Sequence, residues 1–468
     1  MKHNSTGVLV EELRSWAEQA PAGARLPSTR ALVAEHGVSP VTVQKALRQL
    51  VSAGLVESRP GVGNFVRALR APAPQDYSWQ TAALGPRSGS RGLASALRSI
   101  SGNHIDLGSG FPAPELVPDR LVRTALTRAA RSRAVVNWPS AEGLPDLRAW
   151  FASELAEEMQ AGLAPPREND VLIFPGSQPG LGACFRALVG AGQPLLIESP
   201  TYWGAILAAQ QSGVQMVPVP ISGEGPDPEE VDRAFQRSGA RVLYAQPNYT
   251  NPTGTQWSAE RRSAILDVIR RNGAFLIEDN WARDFDTDSH PQSVAAEDEA
   301  GHVVHIRSLT KSVSPAIRVA AVMARGPARE RLLAAAQAET IYVSGVLQAA
   351  ALDVVTQPAW RTHLRGVAQQ LRSRRTMLLQ ALQAHAPQVE VAHVPRGAFH
   401  LWVRLPDGVA AEPFAQQLAA AGVGVVPGDE LFPAEPTGAH LRLTYAGPAP
   451  EKYEEAAQII GHLLTRWA

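Results

Sequence analysis

The chain has 468 residues, and 44 basic side chains balance 44 acidic ones, so the formal net charge is zero. This length predicts two to four domains, and a hydrophobic fraction of 45% excludes an intrinsically disordered chain. Cys184 is the only cysteine, which excludes an internal disulfide and indicates a reducing compartment. The start has no secretion signal and no stretch is apolar enough to span a membrane, so we expect a cytoplasmic location without membrane contact. The histidines are scattered, and we expect no metal site.

Positive charge is distributed unevenly and is carried almost entirely by arginine. Residues 1–70 contain nine Lys or Arg and five Asp or Glu, so a basic N-terminal region precedes a slightly acidic remainder. This asymmetry favours an anionic partner near the N-terminus, although it is also typical of a solvated charged face. Only four lysines accompany 40 arginines, so a lysine within an apolar stretch calls for a specific role.

The first 68 residues have the pattern of a winged helix-turn-helix. Apolar spacing predicts a first helix over 8–20. Ser28 is a candidate N-cap for a second helix that ends at Gly37, and Ser39 is a candidate N-cap for a third helix. The remaining predicted features are the end of the third helix near residue 53, strands at 55–59 and 64–68, and the turn PGVG at 60–63.

The predicted third helix has the size that the DNA major groove admits. The candidate DNA contacts are its outward side chains, its capping serine and nearby groups of the second helix and the turn: Arg30, Ser39, Thr42, Gln44, Lys45, Arg48, Arg59, Gly61 and Gly63. The alternative is a small helical domain that binds another protein. The segment RLPSTRALVAEHGVSPVTVQKALRQLVSAGLVESRPGVGNFV resembles the GntR-type winged-helix family, and this resemblance implies binding to double-stranded DNA.

Residues 69–104 are rich in proline, glycine and serine and are predicted to be a linker. Over 105–468, short apolar strands alternate with helices, which predicts an α/β fold with a mostly parallel sheet. The predicted strands are 171–174, 194–198, 241–246, 274–279 and 303–308, with a helix at 258–271 among them. A large part at about 125–350 is expected to precede a smaller α+β part at about 358–468, with a helix near 359–386 and strands 399–405 and 440–445.

Two polar residues at the ends of apolar strands have the chemistry of a reactive site. Lys311 lies just after the strand at 303–308, between small or apolar neighbours. Burial favours a neutral lysine amine, which is the form that makes a Schiff base with an aldehyde. Asp279 ends the strand at 274–279, where a carboxylate can pair with a protonated pyridine nitrogen. The alternatives are an ordinary surface lysine and a helix-capping or ion-paired aspartate.

Three further features suit a phosphorylated ring. Ser177 lies in PGSQPG, a glycine-rich turn between a strand and a helix, whose backbone amides can hold a phosphate. Ser308 and Arg318 flank Lys311, and the planar fork of arginine suits a phosphate dianion. Asn251, in NPTG, can donate to a ring oxygen. Each feature alone also fits an ordinary turn or surface group, but their position at successive strand ends indicates one ligand site.

The ordered motifs GSQ, NPTG, AFLIED and SLTK, followed by an arginine, resemble the fold-type I aminotransferases, which use pyridoxal 5′-phosphate (PLP). This resemblance implies that Lys311 forms the internal aldimine and that Asp279 pairs with the pyridine nitrogen, the two residues assigned to catalysis. It implies that Arg442 binds a carboxylate of the substrate or effector, beside Gly110. The other cofactor contacts that it implies are Asn251, Ser177, Gln178, Ser308, Arg318 and, stacked on the ring, Tyr202.

Two tryptophans replace tyrosines of the family pattern. Trp281 stands where a tyrosine usually donates to the ring oxygen, and Trp138 where a tyrosine usually reaches the phosphate in the partner subunit. The resemblance makes both part of the cofactor shell. An indole N–H donates a hydrogen bond but the ring nitrogen cannot accept one, so we expect PLP binding with altered proton transfer.

The succession of a GntR-like winged helix, a linker and an aminotransferase-like body resembles the MocR-type bacterial transcription regulators. This resemblance implies a homodimer that binds two operator half-sites and senses PLP, an amine or an amino acid. It also implies a bacterial cytoplasmic protein that is associated with the nucleoid when bound to DNA. The alternatives are an active PLP-dependent aminotransferase with a regulatory N-terminal module, and a PLP-binding protein whose winged helix contacts another protein.

Overall fold

The structure, a computed structural model, describes residues 5–67 and 104–467. The chain separates into two units, and each described range belongs to one of them. The predicted linker at 69–104 therefore lies outside the described residues, apart from His104. Within the described ranges, none of the helices combines the length and the apolar character that crossing a membrane requires.

The N-terminal unit consists of three helices and a two-stranded antiparallel hairpin. Its elements are α1 (Ser5–Gln19), α2 (Thr29–His36), α3 (Pro40–Ser52), β1 (Val56–Arg59) and β2 (Gly63–Val66). The hydroxyl oxygens of Ser28 and Ser39 accept hydrogen bonds from the amides of Ala31 and Thr42, at 3.2 and 3.1 Å. These bonds satisfy amides that a helix start leaves unpaired, and they confirm both predicted N-caps.

One face of α3 forms the centre of this unit. Its apolar residues pack against α1, α2 and the hairpin and are fully or almost fully buried: Val43, Ala46, Leu47 and Leu50. The opposite face is exposed, and Val41 there keeps 68% of its surface accessible. The structure thus confirms the predicted division of α3 into a buried and an outward face.

The second unit is built on an eight-stranded sheet. Its strands are β4 (Val171–Phe174), β5 (Pro194–Ser199), β6 (Gln215–Ser222), β7 (Gly225–Pro226), β8 (Val242–Ala245), β9 (Phe275–Asp279), β10 (Val303–Ser308) and β11 (Ala320–Met323). Their order across the sheet is β4-β11-β10-β9-β8-β5-β6-β7. Strands β10, β9, β8, β5 and β6 are mutually parallel, which confirms a mostly parallel sheet.

Helices of this unit cover the sheet, and a smaller C-terminal part follows them. The helices before the long α12 are α4 (Asp119–Arg131), α5 (Pro145–Ala156), α6 (Ser177–Cys184), α7 (Trp203–Gln211), α8 (Pro228–Ser238), α9 (Ala259–Arg271), α10 (Gly326–Thr340) and α11 (Gly345–Val355). The C-terminal part contains α12 (Pro358–His385), α13 (Ala411–Ala420), α14 (Tyr453–Leu464) and the antiparallel strands β12 (His400–Arg404), β15 (His440–Thr444) and β14 (Val426–Pro427). β3 (Ile105–Asp106) pairs with β13 (Val423–Gly424).

The register of the large sheet brings distant polar residues to one edge. Asp279 at the end of β9 pairs with Ile306 of β10, and β10 then continues to Ser308. Ser308 pairs with Ala320 at the start of the antiparallel β11, and Ala320 pairs with Phe174 at the end of β4. Because β11 runs in the opposite direction, the segment before it lies beside the turn that follows β4. Side chains that follow β4, β8, β9 and β10 and those that precede β11 therefore converge.

Candidate functional site

A cavity of about 300 Å³ opens at this edge of the sheet. It is lined by every residue that the sequence assigned to cofactor or effector except Trp138: Gly110, Ser177, Gln178, Tyr202, Asn251, Asp279, Trp281, Ser308, Lys311, Arg318 and Arg442. Four residues that the sequence did not single out complete the lining: Phe111, Trp203, Gln246 and Thr310. The structure thus brings the predicted residues together in one cavity.

Lys311 follows β10 and is part-buried, with its amine inside the cavity wall. Burial and, to a smaller extent, the positive charge of Arg442 lower the pKa of Lys311 to about 7, although Asp279 acts in the opposite direction. A large fraction of the amine is therefore neutral near neutral pH. A neutral amine is the nucleophilic form, so the site can supply the amine of a Schiff base.

Asp279 is 2% exposed and has one oxygen engaged and one free. Its Oδ2 accepts hydrogen bonds from the Tyr244 hydroxyl and from the side-chain amide of Gln246, each at 2.9 Å. Its Oδ1 is buried and, among the described residues, has no hydrogen-bond partner. Burial raises the pKa of Asp279, while the two hydrogen bonds and the charge of Lys311 act in the opposite direction. Oδ1 is therefore an acceptor that needs a donor from a ligand.

Gln246 connects two parts of the cavity wall. Its backbone amide donates to Oε2 of Glu198 at 2.8 Å, and its side-chain oxygen accepts from the backbone amide of Asn251 at 2.9 Å. Its side-chain nitrogen is the donor to Asp279. Sequence reasoning missed this residue, although it directly follows the apolar strand β8 at the same sheet edge as Asp279. A polar residue in that position was the available signal.

An anion-binding corner lies where the end of β4 meets the start of β11. The guanidinium of Arg318 contacts Gly176, and a Cβ atom at position 176 would lie 2.5 Å from Nη2 of Arg318. Gly176 also has φ +100°, a conformation that glycine adopts without strain. Ser177 begins α6 there, so backbone N–H groups at the helix start and the arginine fork face the same space. Such a combination suits a phosphate.

Arg442 of β15 is 1% exposed and lies on the side of the cavity formed by the C-terminal part. Its Nη1 donates to Oδ1 of Asn251 at 3.2 Å and its Nη2 to the carbonyl of Gly108 at 3.0 Å. Its Nε is buried without a partner among the described residues. Burial lowers the pKa of Arg442 to about 10, so the guanidinium remains charged at neutral pH. Because Oδ1 of Asn251 accepts from Arg442, the amide is oriented with Nδ2 as the group available to a ligand.

Trp281 presents its ring face, and not its N–H, to the lysine. The indole nitrogen donates to the carbonyl of Tyr249 at 3.1 Å. Nζ of Lys311 lies 4.1 Å from the centroid of the indole ring. The N–H that takes the place of the family's tyrosine hydroxyl is thus engaged by the backbone. This arrangement fits the expectation of altered proton transfer.

Trp138 lies outside the cavity, on the surface of the second unit. Its side chain is 85% exposed, and its ring meets that of Tyr342 edge to face, with centroids 6.0 Å apart. Val136 and Ile341 nearby are 73% and 68% exposed. A contact between Trp138 and a phosphate in a partner subunit remains a prediction.

The outward face of α3 carries the predicted DNA contacts. The polar side chains there are exposed or part-exposed, as is Arg30 at the start of α2: Ser39, Thr42, Gln44, Lys45 and Arg48. Nε of Arg48 lies 3.4 Å from the carbonyl of Gln44, so the arginine follows the helix surface. The first turn of α3, capped by Ser39, is free to approach a phosphate.

The hairpin is held by an arginine that the sequence analysis did not consider. Nη2 of Arg25 donates to the carbonyl of Val62 at 2.6 Å, and a Cβ atom at Gly63 would lie 3.0 Å from its Nε. Gly63 has φ +140° and Gly61 has φ +73°, so both glycines suit the turn. Arg59 forms an ion pair with Glu57, with Nε and Oε1 2.8 Å apart, and is therefore held on the hairpin.

Comparison with protein-family models agrees with this division of the chain. Residues 9–66 match the model of the bacterial regulatory proteins of the gntR family. Residues 103–460 match the model of aminotransferase class I and II, which covers well over half of the chain.

The chain is similar in sequence to proteins of two kinds, transcription regulators and aminotransferases. The uncharacterized HTH-type transcriptional regulator YdfD of Bacillus subtilis is 26% identical over 457 residues, covering 96% of this chain and 93% of that protein. The probable rhizopine catabolism regulatory protein MocR of Rhizobium meliloti is 25% identical and covers 96% and 91%. The 2-aminoadipate transaminase of Thermus thermophilus is 29% identical over 367 residues, covering 77% and 90%.

Among solved structures, α-aminoadipate aminotransferase LysN from Thermus thermophilus, complexed with N-(5′-phosphopyridoxyl)-L-leucine, superposes with a TM-score of 0.72. It is 28% identical and covers 80% of this chain and 96% of its own. The family and this neighbour imply PLP as the cofactor. The cavity fits it, because Oδ1 of Asp279 is a buried acceptor without a partner among the described residues, the missing side chain of Gly176 lets the Arg318 guanidinium approach the start of α6, and Lys311 offers an amine. The chain belongs to the aminotransferase class I and II family and carries an N-terminal GntR-type winged helix-turn-helix region.

Proposed function

We propose that this protein is a PLP-responsive transcription regulator that binds DNA through α3 and the cofactor through Lys311. The observation that carries the proposal is the presence in one chain of an exposed polar recognition helix and of a complete cofactor cavity. Two relatives named as regulators align with 96% of this chain, which supports the proposal. The predicted domain bounds, 1–68, 69–104 and 105–468, belong to the same proposal.

The cavity residues divide the cofactor among themselves by chemistry. Lys311 provides the amine for covalent attachment, and Oδ1 of Asp279 accepts the pyridine N–H. Ser177, Ser308 and Arg318 hold the phosphate, as their convergence at one corner favours. The remaining contacts are assigned by their place in the lining: Asn251 to the ring oxygen, Tyr202 to the ring face, and Gln178 to the phosphate side. When bound, the cofactor supplies an aldehyde that condenses with amines and an electron-withdrawing ring.

The effector that this cavity suits best carries an amine and a carboxylate. Nε of Arg442 is a buried donor without a partner among the described residues, and guanidinium groups bind carboxylates well. Gly110 and Phe111 line the same region and limit its size. An amino acid would therefore place its carboxylate at Arg442 and its amine near Lys311.

We further propose that the protein is a homodimer that presents two winged helices to two DNA half-sites. Exposed apolar side chains around α11 support a subunit contact there: Val135, Val136, Trp138, Ile341 and Tyr342. Replacement of Ile341 by glutamate should yield a monomer, and light scattering measures the mass. The DNA contacts named from the sequence, the location in the bacterial cytoplasm and association with the nucleoid belong to this proposal.

The response to ligand requires two conformations of the second unit with different affinities for the effector. An amino acid that exchanges for Lys311 on the cofactor changes which groups fill the cavity between the sheet edge and β15. A ligand shifts the equilibrium only by its differential affinity for the two states. The effect on DNA binding is therefore expected to saturate with the same concentration dependence as effector binding.

The second candidate function is catalysis of transamination. The favourable observations are the intact Lys311 and Asp279 and the likeness to 2-aminoadipate transaminase. The engagement of the Trp281 N–H by Tyr249 argues for slow proton transfer instead. A paired experiment separates the two functions: turnover with an amino acid and a keto acid, and binding to DNA from upstream of the protein's own gene. Salt-sensitive DNA binding that responds to PLP supports the regulator, whereas sustained turnover without DNA affinity supports the enzyme.

A further inference from the structure

The amine of Lys311 is surrounded by three aromatic rings. Nζ lies 4.1 Å from the centroid of Trp281, 5.7 Å from that of Phe399 and 6.0 Å from that of Tyr202. A cation within about 6 Å of a ring centroid is attracted by the negative face of the ring, and tryptophan gives the strongest attraction. The geometry around Lys311 is thus that of an aromatic cage.

The indole ring of Trp281 is fixed in the orientation that the cage requires. Its N–H donates to the Tyr249 carbonyl at 3.1 Å, so rotation of the ring would break a buried hydrogen bond. The Phe399 ring meets it edge to face, with centroids 5.3 Å apart and an angle of 89°. The His400 ring lies on it with a centroid distance of 5.6 Å. The indole face is therefore held toward Lys311 before any ligand binds.

We propose that, in the protein without cofactor, Trp281 forms a cage with Phe399 and Tyr202 that stabilises the protonated form of the Lys311 amine. The cage itself is a property of the chain without cofactor. Its consequence for effector exchange rests on the function proposed above.

The charged and titratable groups facing the amine divide into opposing sets. Asp279 favours the ammonium, and Arg442 opposes it. His400 lies behind Trp281, and burial lowers its pKa well below the ordinary value, so its ring is neutral and adds no charge. Tyr202 is a neutral phenol, because burial raises its pKa, and Arg318 is a second positive charge in the same cavity lining that opposes the ammonium. The aromatic faces are thus a separate contribution that favours the cation.

The cage bears directly on exchange of the effector for the lysine. With the cofactor bound, replacement of Lys311 by an effector ammonium would transfer the imine carbon from Nζ to the effector nitrogen. Two protons would pass from the effector nitrogen to Nζ, without transfer of electrons. The released lysine is then an ammonium over the Trp281 face. Stabilising that ammonium favours the effector-bound state and weakens Lys311 as a base for turnover.

The test measures protonation of Lys311 in the protein without cofactor. Lysine labelled with ¹³C at Cε gives few signals, because the chain has only four lysines, and a Lys311→Met variant identifies the one of interest. A pH titration by NMR then gives the midpoint for Lys311, which is the pH at which half of its amine is protonated. We expect Trp281→Phe to lower the midpoint by about half a pH unit, and Trp281→Leu to lower it by about one unit.

The sign of the change distinguishes a cage from simple packing. If Trp281 only buried the amine, its replacement would admit water and raise the midpoint, so an unchanged or higher value in Trp281→Phe overturns the proposal. Trp203→Phe is the matched control, because Trp203 lines the same cavity but is not among the rings that face Nζ. An equal decrease in this control would also overturn it. Urea unfolding verifies that the variants are folded. If Trp281→Leu does not fold, the titration of Trp281→Phe alone decides the test.

A second measurement follows the exchange itself. In the PLP-loaded protein, methylamine should displace Lys311 with an apparent dissociation constant about 2- to 5-fold higher in Trp281→Phe than in the wild type. An unchanged constant overturns the link between the cage and exchange. A wild-type spectrum that does not respond to PLP at all contradicts the proposed function, while the titration of Lys311 still decides the cage.

Discussion

The side-chain amide of Gln246 donates to Oδ2 of Asp279 at 2.9 Å, and the oxygen of the same amide accepts from the Asn251 backbone at 2.9 Å. One side chain thereby holds the carboxylate that is expected to pair with the pyridine nitrogen and the backbone of the residue whose side chain is expected at the ring oxygen. Because Gln246 and Tyr244 occupy Oδ2 of Asp279, its other oxygen is buried and has no partner within residues 5–67 and 104–467.

Replacing Gln246 by leucine should therefore weaken both the fold and the site. The change leaves the backbone amide of Asn251 unpaired and removes a donor from the buried carboxylate of Asp279. The free energy of unfolding should therefore fall by about 1–3 kcal/mol. Urea unfolding without cofactor measures the loss, and equilibrium dialysis measures the weaker retention of PLP. Gln416→Leu on the exposed face of α13 is the control, with a change below about 0.5 kcal/mol. Equal stability of the two variants would contradict the role of Gln246.

Arg318→Ala should reduce the affinity for PLP about 10- to 100-fold, because hydrogen bonds to charged groups contribute about 1.5–3 kcal/mol. Binding of pyridoxal, which lacks the phosphate, should hardly change. Fluorescence titration with both compounds measures the difference, and Arg331→Ala on the exposed side of α10 is the control. An equal loss for PLP and pyridoxal would show that Arg318 does not hold the phosphate.

The rate at which PLP attaches to the protein without cofactor should depend on pH through Lys311. The neutral amine reacts, and the pKa of Lys311 is lowered to about 7. Its neutral fraction, and with it the attachment rate, should rise between about pH 6 and 8 and then level off. Stopped-flow absorbance measures the rate. A rate that begins to rise only near the pKa of an ordinary lysine, about 10.4, would show that the amine is not buried in solution.

Arg48→Ala and Arg30→Ala should weaken DNA binding and reduce its dependence on salt. Arg48 lies on α3 and Arg30 on α2, and both side chains are exposed. Removing one arginine–phosphate interaction reduces the slope of log affinity against log salt by about one. Fluorescence anisotropy at several salt concentrations measures the slope. Arg233→Ala, on α8 of the second unit, removes the same charge and should have no effect. Unchanged slopes in both α2 and α3 variants would place the DNA-binding surface elsewhere.

The sequence predicted the site residues that lie at or just after the ends of apolar strands, because such residues emerge at the sheet edge. Lys311, Asp279 and Ser177 are of this kind, and the cavity contains all three. The capping serines of α2 and α3 were predictable for the same reason, since they stand at the boundary of a periodic pattern.

Pairings between distant segments were not predictable. The role of Gln246 depends on the register between β8 and β9, and the position of Arg318 depends on the antiparallel β11, which sequence analysis did not identify. The orientation of Trp281 is decided by the carbonyl of Tyr249, a backbone atom that no residue pattern reveals. The contact of Arg25 with the hairpin turn is of the same kind.

The central claim is that Lys311 attaches the cofactor covalently. Incubation of the protein with PLP, reduction with borohydride and peptide mapping by mass spectrometry locate the attachment among the four lysines. We expect the phosphopyridoxyl group on Lys311, at one per chain, and no attachment in a Lys311→Ala variant whose fold is intact. A group distributed over Lys2, Lys45 and Lys452 with none on Lys311, or no attachment at all, would contradict the claim.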